Sequence, residues 1–159
     1  MTEPPNHHLA QLNVARALED LDSPRLADFM AALDRVNALA ERSPGFVWRL
    51  QDPVGNATSI KASDDARFIV NMSVWESPAD LEQFVWTTIH KRVYDKKSKW
   101  FEAMQTPHLV MWWVPAGHHP SVDEAMDKLA YLTAHGDSDL AFGWSHLPNV
   151  RLWMSRRCA

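Results

Sequence analysis

The chain has 159 residues, 46% of them hydrophobic and 23% charged, with one cysteine and a net charge of −4. These proportions suit one globular domain and exclude wholesale disorder, a collagen-like repeat and a disulfide scaffold. The negative balance gives no general attraction to nucleic acid or acidic membranes. The longest apolar run, Leu109–Pro115, falls far short of the roughly 18–20 residues of a membrane span.

The expected organisation is a polar tail over residues 1–6, one domain over 7–148 and a C-terminal tail over 149–159. Residues 8–15 alternate as a strand does, with His8, Ala10, Leu12 and Val14 on one side and Leu9, Gln11, Asn13 and Ala15 on the other. Ser23-Pro24 reads as a helix cap with proline at the first helical position, followed by Leu26, Phe29, Met30, Leu33 and Val36 at helical spacing. Ser43-Pro44-Gly45 stops that helix. Residues 46–51 form a strand with Phe46, Trp48 and Leu50 on one side and Val47, Arg49 and Gln51 on the other.

Residues 52–65 are rich in turn formers and read as a loop. A strand over 67–75 follows, and Ser77-Pro78-Ala79-Asp80 caps a helix carrying Leu81, Phe84 and Val85. The β-branched run Thr87-Thr88-Ile89 interrupts it. A further helical segment is predicted over 90–104, with Val93, Trp100, Phe101 and Met104 inward. A strand over 108–114 precedes a capping box at Ser121 and Glu124, whose helix stops at Gly136. Residues 139–147 add a short edge strand.

Strand, helix, strand, strand, helix, strand, helix is the order of an α+β, ferredoxin-like βαββαβ domain: an antiparallel sheet with helices on one face. The other face is expected to carry Leu9, Val47, Ile69 and Trp75 mixed with Gln11, Asn13, Arg49, Asn71 and Ser73. So much apolar surface calls for a cover. A second copy would supply it by pairing two sheets into a dimeric α/β barrel around a cavity. The alternative is a monomer whose C-terminal helix or long loop folds over that face.

Residues 68–84, FIVNMSVWESPADLEQF, followed by Ile89-His90-Lys91-Arg92-Val93, resemble the antibiotic-biosynthesis-monooxygenase group of dimeric α/β barrels. In that group a strand ending in Trp-x-Ser leads into a helix carrying a histidine. Up to about residue 148 the chain is most similar to an uncharacterised bacterial domain family of that superfamily. The resemblance implies a homodimer and, for some members, cofactor-independent quinone-forming oxidation. For others it implies heme degradation, with a strand asparagine, a helix tryptophan and an axial histidine. Asn13 and His90 match the first and last of these; Trp86 stands four residues before His90, closer than in that branch. Trp75 corresponds to the strand-end tryptophan.

Read from chemistry alone, His90 at a cavity wall could ligate iron, act as a base or bind substrate, or be a half-buried histidine satisfied by a carbonyl. Arg49 could hold an anionic group, and Asn13 and Asn71 could donate to a developing oxyanion; the same residues could equally fill a wet core with cross-strand hydrogen bonds. Gln11, Trp75, Trp86 and Tyr94 complete the candidate wall around a substrate or cofactor. Eight Trp, six Phe and two Tyr serve either a filled core or an aromatic-lined cavity.

His7-His8 and His118-His119 lack companion ligands at metal spacing and read as surface, so no metal site is expected apart from His90 toward heme. His135 is placed to meet a helix C-terminus, while His108 and His146 have no constellation around them. The strand over 67–75 lacks the glycine and paired aromatics of an RNA-binding sheet. There is no phosphate loop, nucleophile elbow or nucleophilic cysteine. The expectation is a cytoplasmic enzyme of monooxygenase type acting on an aromatic or hydrophobic small molecule, with no cofactor or with heme. It binds neither nucleic acid nor membrane. The competing classes are a heme-binding protein and a non-catalytic dimer packed shut by tryptophan.

Overall fold

The computed structural model describes residues 3–51, 63–87, 96–148 and 150. Four alternating segments become strands: β1 (His7–Arg16), β2 (Phe46–Arg49), β3 (Phe68–Trp75) and β4 (Leu109–Pro115). They form one sheet of order β2-β3-β1-β4 in which every neighbouring pair is antiparallel. Helix α1 (Ala27–Glu41) joins β1 to β2, α2 (Pro78–Thr87) follows β3, and α3 (Val122–His135) follows β4. With β3 inserted between β1 and β2, this is the expected ferredoxin-like α+β domain. Among the described residues no helix is long and apolar enough to cross a membrane.

Two of the three expected caps form as read. Ser77 Oγ accepts the Asp80 backbone N–H at 3.2 Å, and Ser121 Oγ accepts that of Glu124 at 3.1 Å, so each meets a donor the helix start leaves unpaired. Gly136 ends α3 at φ 76°, where a side chain would be strained. Ser23 differs. It precedes a short 3₁₀ turn, Pro24–Leu26, without capping it through its side chain, and α1 starts only at Ala27.

Which side each strand turns to the helices also differs from expectation. Leu9 and Trp75 pack with Ala40 of α1 and Leu81 and Phe84 of α2. Gln11, Asn13, Asn71 and Ser73 share their side of the sheet by alternation. The mixed polar face therefore lies beneath α1 and α2 and is not the open one. The opposite face is apolar over its centre, and α3 seats Ala125, Leu129 and Leu132 on its Ala10, Leu12, Val14, Val70, Met72, Val74, Val110, Trp112 and Val114. All nine strand residues are at most 4% exposed in the single chain. The face that a second copy was expected to cover thus lies beneath α1 and α2, and α3 covers the opposite one.

Strand β2 breaks its expected alternation. The register shifts between Phe46 and Trp48, so Phe46 meets Trp75 edge-on at 5.6 Å while Trp48, Val47 and Leu50 pack on the α3 side. A bulge of this kind lets consecutive residues serve opposite layers. The helix expected to run to residue 104 is absent from its described part. Lys97–Lys99 is a 3₁₀ turn, and Phe101 bridges extended backbone at Ala17. Three lysines within four residues repel along a helix, whereas leaving it lets Trp100 and Phe101 both reach Phe29, at 5.5 and 4.9 Å. In place of an edge strand over 139–147, isolated bridges join Phe142 to Met111 and Ala141 to Ser138, and Trp144–His146 is a 3₁₀ turn.

Helix α3 is pinned to β4 by one carboxylate. Glu124 Oε2 accepts the indole N–H of Trp112 at 2.9 Å and Oε1 meets His118 Nε2 at 2.7 Å. Glu124→Ala leaves that indole N–H buried without an acceptor, and a loss of about 1–3 kcal/mol is expected in urea unfolding, with Glu124→Gln losing less.

Candidate functional site

The site follows from strand register. Gln11 faces Ser73 and Asn13 faces Asn71 across the central β1–β3 pair. Long side chains on such pairs reach the diagonal neighbour as well. Trp75 Nε1–H donates to Ser73 Oγ at 2.9 Å. Gln11 Nε2 donates to the same oxygen at 2.8 Å and to Asn71 Oδ1 at 3.0 Å. Trp75, Gln11 and Ser73 are 0%, 5% and 8% exposed, whereas Asn71 is exposed and Asn13 half-buried. Burying polar groups is tolerable because each is paired along this line. The line begins in the core and ends at an amide open to a ligand.

Sequence reasoning grouped Gln11, Asn13, Asn71 and Trp75 on one face, and the structure brings them together. It left Ser73 out of the site, although Ser73 is the node on which two donors meet. The signal was present: Ser73 stands two residues before Trp75, on the same side of the strand. Arg49 lies across from Ser73, but its Nε donates to Glu41 Oε1 at 2.8 Å. With its side chain 11% exposed, Arg49 ties β2 to the end of α1 instead of standing open for an anion. Trp75 stacks on Phe84 at 5.2 Å and is core, not a substrate wall. Trp86 is buried on α2, 6.2 Å from the ring of Trp144. His90, the residue expected to hold a heme if one binds, and Tyr94 lie outside the described residues.

A pocket of about 200 Å³ opens between the start of α2, Trp113 and Leu147, and a second of about 60 Å³ lies between Pro44 and Phe84. Neither borders Gln11, Asn13 or Asn71. No group of three metal-ligating side chains occurs among the described residues. His118 and His119 are exposed as expected, the latter stacked on Trp48 at 4.9 Å. His135 Nδ1 meets the Tyr131 carbonyl at 3.1 Å, at the end of α3. His146, expected to stand alone, meets Asp139 at 3.1 Å. Burial, with nearby Lys97, holds His108 below the usual imidazole range.

Over residues 8–157 the chain matches the family described as Domain of unknown function (DUF3291). No curated protein matches it by sequence. Among solved structures it is similar to protein SO0527 from Shewanella oneidensis, with a TM-score of 0.52 at 10% identity, covering 70% of this chain and 95% of that one. It is also similar to a provisionally assigned antibiotic biosynthesis monooxygenase from Nitrosomonas europaea: TM-score 0.44, 15% identity, 72% of this chain and 91% of that one. Another protein so assigned, from Chloroflexus aurantiacus, gives a TM-score of 0.43 at 19% identity, covering 71% and 97%. The Shewanella likeness speaks for the fold alone, and the other two are too distant to argue from.

Proposed function

Because the chain belongs to the DUF3291 family, whose description assigns no activity, we propose from the site itself that it oxidises a small aromatic substrate in the manner of a monooxygenase. One observation carries the reading: Asn71 is exposed at the end of a buried hydrogen-bonded line, with Asn13 opposite it on the next strand. Amides held by a rigid sheet are oriented before the ligand arrives, the condition for stabilising an oxyanion. The sequence resemblance at residues 68–84 supports the same direction.

In this reading a phenolic substrate loses its proton, with His90 as the proposed base, and the phenolate passes electrons to dioxygen. One oxygen atom bonds to the ring and the other leaves as water, giving a quinone. Asn71 and Asn13 hold the phenolate oxygen throughout. The test is oxygen uptake by the purified full chain with a panel of phenols and hydroquinones. Asn71→Ala is expected to lower kcat about 10²–10³-fold, the usual effect of removing one oxyanion donor, with an unchanged circular dichroism spectrum. Uptake with no member of the panel, or an Asn71→Ala variant as fast as the wild type, overturns the proposal.

A further inference from the structure

The orientation of the Gln11 amide, with Nε2 toward both Ser73 and Asn71, decides which end of Asn71 faces outward. An indole N–H can only donate, so Trp75 occupies one lone pair of Ser73 Oγ. Gln11 Nε2 takes the other and gives its second hydrogen to Asn71 Oδ1. Both amide hydrogens of Gln11 are thus spent on acceptors within the line. Oxygen and nitrogen branch from the same carbon of Asn71. With the oxygen turned to Gln11, the nitrogen with its two hydrogens is the end left for a ligand.

We infer that Gln11 sets the hydrogen-bond polarity of this site. It is a positioning residue: it holds Asn71 with its N–H groups outward, so that the site takes an aromatic compound through an acceptor oxygen, a carbonyl or a deprotonated phenol. A ligand offering only a donor meets N–H groups and leaves both sides unpaired, a disadvantage of about tenfold or more. The inference rests on the preceding reading of this face as a ligand site. It adds the residue that decides what the site accepts.

Side-chain amide exchange, followed by ¹⁵N–¹H NMR on the full chain, tests the orientation without a ligand. The Gln11 Nε2 hydrogens are expected to exchange slowly and those of Asn71 quickly. Two neutral probes then test selectivity: acetophenone, which only accepts, and indole, whose N–H only donates. Acetophenone is expected to shift the Asn71 amide signal at about tenfold lower concentration than indole. Gln11→Glu places an acceptor where the donor stood, draws the Asn71 N–H inward, and is expected to slow its exchange and reverse the order of the probes.

Slow exchange at Asn71 in the wild type, indole binding as well as acetophenone, or a shift with neither probe overturns the inference. So does a folded Gln11→Glu protein with the original order. Should the buried carboxylate unfold the domain, the wild-type exchange pattern and probe order decide by themselves. None of these readouts needs turnover. A chain that passes them without consuming oxygen loses the proposed oxidation and keeps its polarity, whereas an active chain with reversed polarity does the opposite.

Discussion

Trp75→Ala is expected to cost the domain about 3–5 kcal/mol, the range for removing a buried large aromatic, measured as a lowered midpoint in guanidinium unfolding. Trp75 is fully buried where three elements meet. Its ring stacks on Phe84 of α2 at 5.2 Å and stands edge-on to Phe46 of β2 at 5.6 Å. Alanine leaves a cavity against the sheet, and α2 can close onto it only by moving its whole start, which Ser77 and Pro78 hold in place. Against total stabilities of about 5–15 kcal/mol this is a large share. Trp75→Phe keeps most of the packing and removes the indole N–H. The expected loss is smaller, about 1–2 kcal/mol, but Ser73 Oγ loses a donor and the Gln11 line slackens. A midpoint for Trp75→Ala within error of the wild type would mean that Phe46 and Phe84 do not depend on this ring.

Helix starts and strands were legible because their causes are local. Ser77 and Ser121 sit three residues before the N–H they accept, Gly136 supplies a positive φ, and period-two alternation marked β1, β3 and β4. Which side of the sheet each helix covers was not legible. Alternation shows that Leu9 and Ala10 face opposite ways, but not which of the described helices lies over each. That assignment depends on the chain's path after β4. The polar residues on the Leu9 face suggest the wall of a cavity closed by a second copy; here Gln11 and Ser73 are buried within the chain and bonded to each other.

Arg49 was misread for a related reason. Its partner Glu41 lies across the turn between α1 and β2, a closeness that Gly45 at φ 80° creates and no periodicity announces. The grouping of Gln11, Asn13 and Asn71 was legible, since register follows once β1 and β3 are recognised as neighbours. Ser73 was missed because a serine on a strand has no signature of its own. It matters through the two donors that converge on it.

Helix α3 sets the second large effect. Leu129 and Leu132, 8% and 6% exposed, are its main apolar contacts with the face built on Leu12, Val110 and Trp112. Leu→Ala in a core costs about 2–5 kcal/mol, and two such changes in one contact layer need not add. The double variant is expected to lose at least about 4 kcal/mol in guanidinium unfolding. Loosening α3 also bares the widest apolar surface of the sheet, so the variant is expected to associate at concentrations where the wild type does not. Sedimentation of both proteins over the same micromolar range checks this. If a twin subunit covered that face, it would press on α3 and the wild type itself would sediment as a dimer, with the double variant weakening that association. The two outcomes run in opposite directions because one face cannot be both filled from within the chain and left for a second copy.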